Sequence, residues 1–354
     1  MTRIDPVRIG LIGAGRIGTH HATTLARRLG EAELVAVADP QATAAERLGE
    51  ELGVEWLTDP QALIDDPRVE AVAITCASTA HADLVVAAAK AGKAVFVEKP
   101  MAMTLADADR AVAAARAAGI PLQVGFNRRF ARDFAAAHEM VAAGGIGTPQ
   151  LLRSVTRDPG LANPAGVPPW TIFTQTLIHD FDALNWFNAG ATAVEVSVMA
   201  DALVAPDFKD AGLLDTAVVT IRYDNGAIAV AEASFSAAYG YDVRAEVFGS
   251  AGMVTAGSPA HLSTTHWSAA GVASPTARAD TDLFTDAYAA ELAAFCTAVR
   301  GGTPTQVGGE DARAALRIAL ACIEAVETGG TVTIRDADRV VERIVERDVA
   351  TVGA

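Results

Sequence analysis

Three glycines set between a strand and a helix limit what this chain can become more than any other feature. Val7 to Ile12 is a short β-branched run, Gly13, Gly15 and Gly18 follow it in the spacing GxGxxG, and a helical stretch runs on from Ile17 to Leu29. In that context the first glycine permits a tight turn and the second lets the backbone approach a pyrophosphate. The third lets helix and strand pack closely, so the helix N-terminus faces the anion. Asp39 closes the next apparent strand, about 20 residues beyond, where a carboxylate accepts bonds from ribose hydroxyls and repels a 2′-phosphate. The pattern predicts a dinucleotide site that favours NAD over NADP.

The alternation continues through residue 125. Strands are expected at Leu34 to Ala38, Ala71 to Ile74, Ala94 to Val97 and Leu122 to Val124, with helices at Gln41 to Leu52, His81 to Ala91 and Leu105 to Ala118. Strands separated by helical segments imply right-handed βαβ crossovers, hence an α/β Rossmann domain with a doubly wound parallel sheet over residues 1–125. Then the rhythm changes. A helix from Ala131 to Ala143, a strand near Leu151 to Thr156, a proline-rich stretch and a further helix lead to strands in succession. Thr216 to Tyr223 and Ala227 to Phe235 flank Asp224-Asn225-Gly226, a hairpin signal because Asn and Gly accept the positive φ of a tight turn. This predicts an α+β domain over residues 126–335 with an antiparallel or mixed sheet, closed by helices near Asp286 to Arg300 and Asp311 to Thr328. Residues 336–354 are expected to be a C-terminal tail, and 354 residues hold two domains at about 150 residues each.

Composition removes whole classes of partner. With 28 Lys+Arg against 43 Asp+Glu the net charge is −15, which opposes nucleic acid and anionic membranes. A 51% hydrophobic chain with 20% charged residues is too apolar to stay disordered. Cys76, Cys296 and Cys322 are too scattered for a redox pair or disulfide framework and are expected to be core thiols in a reducing compartment. The N-terminus lacks the apolar stretch of a signal peptide and no run of 18 apolar residues occurs, so the expected location is the cytoplasm. His20, His21, His81, His138, His179, His261 and His266 show no metal-ligand spacing. No metal is expected, and His20 and His21 are expected to serve helix–sheet packing and solvent contacts.

Chemistry is expected at strand ends. Thr75-Cys76-Ala77-Ser78 follows the third strand and Glu98-Lys99-Pro100 the fourth, both at the carboxyl ends where open α/β sheets bind ligands. Gln175, His179 and Asp182 recur at i, i+4 and i+7, which on one helix places them on one face.

Together, GxGxxG, Glu98-Lys99-Pro100, Asn127-Arg128-Arg129-Phe130, Thr156-Arg157-Asp158-Pro159, Ile178-His179-Asp180-Phe181-Asp182 and Tyr239-Gly240-Tyr241-Asp242 resemble the Gfo/Idh/MocA oxidoreductase family, and within it the inositol dehydrogenases. The resemblance spans about Val7 to Ile334. It implies a second domain with an open, mostly antiparallel sheet that builds dimers or tetramers, and hydride transfer between a nicotinamide and a ring carbon of a polyol or sugar. Lys99 matches the family's EKP lysine and His179 its catalytic histidine. NAD is expected at Gly13, Gly15, Arg16, Ile17, Gly18 and Asp39, and at Thr75, Ser78, His81, Glu98 and Lys99. Asn127, Arg128, Asp158, Gln175, His179 and Tyr239 are expected to hold the substrate. Gln175 departs from the family, whose members usually carry Asp there. It counts with Lys99 and His179 in the expected catalytic set, and its amide is expected to preserve catalysis while altering substrate choice. The aromatic in Ser234-Phe235-Ser236 hints at a less polar ligand than inositol. The expected reaction is oxidation of myo-inositol to 2-keto-myo-inositol. The competing readings are the same chemistry on a sugar, an inositol isomer or a glycoside, and a nicotinamide-binding regulator without catalysis.

Overall fold

A computed structural model of the chain describes residues 5–334; the expected tail, 336–354, lies outside them. Contacts divide the chain into two units. One contains residues up to Phe130 together with Asp286–Arg313; the other contains Ala131–Thr285 and the chain from Ala314 onward.

In the first unit, β1 (Val7–Ile12), β2 (Ala32–Ala38), β3 (Glu55–Leu57), β4 (Ala71–Ile74), β5 (Ala94–Glu98) and β6 (Leu122–Gly125) form a parallel sheet ordered β3-β2-β1-β4-β5-β6. β4 and β5 are buried along their whole length, as continuous apolar runs are when helices cover both faces of a parallel sheet. The helices are α1 (Arg16–Arg27), α2 (Ala42–Leu52), α3 (Pro60–Asp65), α4 (His81–Lys90) and α5 (Leu105–Ala118). Strand order reverses between β1 and β4, and the crevice at such a switch point is where these sheets bind ligands. β3 and α3 were not expected: β3 has three residues, none buried, and offers no hydrophobic pattern.

The expected second domain included residues 286–313, which contact places with the first unit. Leu292, Phe295 and Cys296 share a core with Ile9, Leu11, Leu25 and Phe96, and truncating a buried Phe such as Phe295 to Ala costs about 3–5 kcal/mol. Arg300 ties the same helix to Glu70 at 2.8 Å and to the Asp5 carbonyl. Val124 N–H donates to the Val307 carbonyl at 3.0 Å.

The second unit contains α6 (Arg132–Ala142), β7 (Pro149–Arg157), α7 (Ile178–Phe187), β8 (Ala193–Asp201), β9 (Thr216–Tyr223), β10 (Ile228–Ser234), β11 (Asp242–Gly249), β12 (Gly252–Ala256), β13 (His266–Ser268), β14 (Gly271–Ala273) and α8 (Asp280–Leu283). α9 (Thr285–Gly301) belongs almost wholly to the first unit, and the division falls inside α10 (Gly309–Thr328). With β15 (Val332–Thr333) the large sheet runs β12-β11-β7-β10-β9-β8-β15. Only β7 and β10 pair in parallel, so the sheet is mixed but mostly antiparallel. β9 buries every second residue, the alternation of a sheet with one packed face. On its other face Met253, Phe248, Leu151 and Ile228 stand in register across four strands, each at least 41% exposed.

Candidate active site

The turn after β1 is shaped for an anion. Gly13 has φ +104, and a Cβ there would lie 2.5 Å from the Cys76 backbone nitrogen; a Cβ on Gly18 would collide with the Gly13 carbonyl oxygen. Only glycine fits either position. Nothing lies within 4 Å of where a Cβ on Gly15 would sit, so the backbone is open to an approaching group. Arg16 and Ile17 begin α1, which no side chain caps and whose first turn holds no acid, leaving the positive end of the helix dipole to a ligand. Asp39 holds the turn from the side: its Oδ2 accepts the Ala14 N–H at 2.7 Å and its Oδ1 the Gln41 N–H at 2.8 Å. A carboxylate has about four lone-pair positions, so acceptor capacity remains for ribose hydroxyls. These residues fit a dinucleotide.

The next two loops are joined to this turn. The Thr75 hydroxyl contacts the Ile12 and Gly13 carbonyls at 3.0 and 2.9 Å, and Ser78 opens the 3-10 turn before α4. His81 was expected to touch cofactor. It lies buried between two carbonyls instead, with Nδ1 2.9 Å from Pro100 O and Nε2 3.0 Å from Cys76 O. Burial pulls its pKa down, and its place is that of a strap between the loops after β4 and β5. Glu98 is also buried: Oε2 accepts the Lys99 N–H at 3.0 Å and Oε1 lies 2.7 Å from His21 Nε2. His21 therefore does more than pack. Asn127 and Arg128 are buried after β6, and Asn127 Oδ1 meets no protein partner, an acceptor left for a ligand or water. The neighbouring Arg129 pairs with Asp311 at 3.0 Å.

The other expected residues lie in the second unit. Gln175 and His179 do not share one regular helix. Ile172–Thr176 is a π-helical turn, in which Leu177 N–H donates to Ile172 O at 2.8 Å, and α7 begins only at Ile178. The wider turn breaks the i, i+4 spacing, and such turns recur at functional sites. Asp182 is buried. Asp180, not expected to matter, accepts hydroxyl hydrogen bonds from Ser154 at 2.5 Å and Thr156 at 2.7 Å, all in the interior. These bonds tie the first turn of α7, and with it His179, to β7.

Asp158 follows β7 and exchanges backbone hydrogen bonds with Ser234 and Ala237. The Tyr239 hydroxyl donates to Asp242 at 2.7 Å, beside Arg157 and Arg244. Burial works against the Asp242 anion, yet hydrogen bonds from Arg244 and Tyr239 hold its carboxyl below the usual range. Phe235 is a core residue, so it carries no information on ligand polarity. Cys296 and Cys322 are core thiols as expected, and burial pushes Cys296 up to about 12; Cys76 is only half-buried.

Residues 7–126 match the model of the oxidoreductase family with the NAD-binding Rossmann fold, and residues 134–255 match the GFO/IDH/MocA C-terminal domain. The chain belongs to the Gfo/Idh/MocA oxidoreductase family. Among similar proteins, myo-inositol 2-dehydrogenase of Thermotoga maritima is 38% identical, covering 93% of this chain and 99% of its own. The scyllo-inositol 2-dehydrogenase (NAD(+)) of Bacillus subtilis is 36% identical, covering 91% and 95%. The scyllo-inositol dehydrogenase of Lactobacillus casei with bound NAD(H) and scyllo-inositol superposes with a TM-score of 0.88 at 28% identity, over 93% of this chain and 99% of that one. In family terms the glycine turn and Asp39 belong to the NAD-binding Rossmann domain, and the expected substrate residues of the second unit to the C-terminal domain.

Proposed function

We propose that this chain is an NAD-dependent inositol dehydrogenase that oxidises a secondary ring hydroxyl, myo-inositol to 2-keto-myo-inositol being the reference reaction. The observation that carries this reading is end-to-end identity with a myo-inositol 2-dehydrogenase, at 38% over 99% of that enzyme, in a chain that keeps both Lys99 and His179. When bound, NAD supplies the hydride acceptor. His179 takes the hydroxyl proton on an unprotonated imidazole nitrogen, the role a general base fills. Lys99 donates a hydrogen bond to the substrate oxygen as negative charge develops there. Asn127, Arg128, Asp158 and Tyr239 orient neighbouring hydroxyls, and Gln175 offers a donor and an acceptor where the family resemblance implies a carboxylate.

Gln175 favours a second reading of the substrate, an inositol isomer or sugar in place of myo-inositol. NADH absorbance on a panel of myo-, scyllo- and chiro-inositol with glucose and a glycoside tests both. Reduction of NAD by an inositol is expected. NAD binding without turnover of any panel member would make the chain a regulator instead.

The in-register apolar row on the sheet of the second unit supports self-association through that face, since large exposed apolar patches mark interfaces. No helix among the described residues is long and apolar enough to cross a membrane, and cytoplasmic residence suits a reaction that draws on NAD.

A further inference from the structure

Beneath Lys99 lies a buried ionisable cluster that the reaction above does not use. His21 on α1, Glu98 at the end of β5 and Glu291 on α9 bring one nitrogen and two carboxylate oxygens within 4.8 Å of one another, and all three side chains are buried. Glu98 is held at both carboxylate oxygens, and its carboxyl fills the space left by a glycine. His21 Nε2 stands 2.7 Å from Oε1, the Lys99 peptide N–H donates to Oε2 at 3.0 Å, and a Cβ on Gly125 of the adjacent strand would come within 3.2 Å of Cδ. Neither side-chain oxygen of Glu291 meets a hydrogen-bond partner.

Two anions cannot share such a space cheaply. Burial, with the Glu98 charge beside it, drives the Glu291 acid far above its ordinary range, which favours its neutral form. Burial also works against the Glu98 anion, but the His21 hydrogen bond and the nearby Lys99 charge hold Glu98 below its ordinary range. The rings of Phe96, Tyr288 and His20 surround His21 at 5.3, 5.4 and 6.1 Å centroid to centroid.

We propose that His21, Glu98 and Glu291 form a cluster carrying one negative charge, on Glu98, and that this charge positions Lys99 through its peptide and keeps its side chain a cation. The proposal deepens the reading of Lys99 as donor to the substrate oxygen and rests on it. An ammonium offers three donors and a full positive charge to a developing alkoxide, whereas a neutral amine offers a weak donor. Glu98, His21 and Glu291 are positioning residues, since they act through Lys99.

The deciding readout, the Lys99 titration, needs no substrate, so it is independent of whether inositol is oxidised. The chain has four lysines, Lys90, Lys93, Lys99 and Lys209, so the full-length protein labelled with 13C-lysine resolves each ammonium titration by NMR, with Lys99→Arg assigning its signal. In Glu98→Gln the amide oxygen still accepts the Lys99 N–H but the charge is gone. The Lys99 titration should fall by about one to three pH units, and the alkaline limb of kcat/KM should move with it. Glu291→Gln imitates the protonated acid and should leave the Lys99 titration in place. If Glu98→Gln does not fold, His21→Leu, which strips Glu98 of its side-chain partner, should lower the titration in the same direction, with His21→Gln restoring it. An unmoved Lys99 in Glu98→Gln and His21→Leu would overturn the proposal, as would a shift of similar size in Glu291→Gln. A stoichiometric divalent metal that survives dialysis of the wild type and is lost in Glu291→Gln would also overturn it, because the three groups would then be ligands.

Discussion

The Asp180 carboxylate accepts a hydrogen bond from the Ser154 hydroxyl at 2.5 Å, with both side chains fully buried. Because Asp180 follows His179 directly, this bond and its partner from Thr156 set where the proposed base begins its helix. Asp180→Ala removes the charged acceptor shared by two buried hydroxyls, at about 1.5–3 kcal/mol for each bond lost. The expected outcome is a lower melting temperature and at least a tenfold lower kcat, with NAD affinity, measured by fluorescence titration, unchanged. Wild-type kcat in a folded Asp180→Ala would show that His179 does not depend on this anchor.

Gln175 sits in the π-helical turn that precedes α7. Gln175→Asp adds a negative charge and removes a donor, so the ranking of inositol isomers and sugars by kcat/KM should change while the enzyme stays active. An identical ranking would remove Gln175 from substrate selection.

Asp39 uses one lone pair on each oxygen to hold the turn after β1. Asp39→Ala should raise the KM for NAD and narrow the preference for NAD over NADP by about tenfold or more, since repulsion of a 2′-phosphate disappears. Stability should fall as well, because the Ala14 and Gln41 N–H groups lose their acceptor.

Glu70 receives Arg300 and Arg8, and these partners hold its carboxyl at about 2, against 4.5 ordinarily, although partial burial opposes the shift. A depressed acid contributes stability that is complete above the unfolded value and is lost as pH falls through the folded one. The unfolding free energy from urea titration should therefore be larger for the wild type than for Glu70→Gln at pH 7, by on the order of 1 kcal/mol after solvent screening. The difference should shrink as pH drops from about 4.5 to about 2. A difference constant across that range would mean the Arg300 contact is not charge-dependent.

Phe248 pairs across strands with Leu151 on one side and Met253 on the other, and all three are exposed. Light scattering should find the wild type as a dimer or larger, and Phe248→Asp combined with Leu151→Asp should shift it toward monomer. A monomeric wild type would reject this face as an interface.

Much of the first unit was legible because its signals are local. β1, β4 and α5 fall where apolar runs and helix-ending glycine place them, and the glycine spacing specified its own turn through contacts no other residue permits. The Gln175–His179 relationship was misread, since a π turn and an α turn look alike in residue types and differ only in which carbonyl each N–H finds. Glu291 left one signal: a lone acid on the apolar face shared with Ala287, Leu292 and Phe295.

By itself the sequence determined the doubly wound sheet and the anion-binding turn, because periodicity and glycine spacing act over a few residues and need no distant partner, and its short motifs carried the resemblance to the family. Only the tertiary structure decided that residues 286–313 complete the first unit, that Asp180 anchors α7, and that His21, Glu98 and Glu291 meet. The reason is physical. Whether a buried acid is an anion, a neutral acid or a tether depends on what other elements pack against it, and that packing sums contacts between residues as far apart as His21 and Glu98, 77 positions from each other.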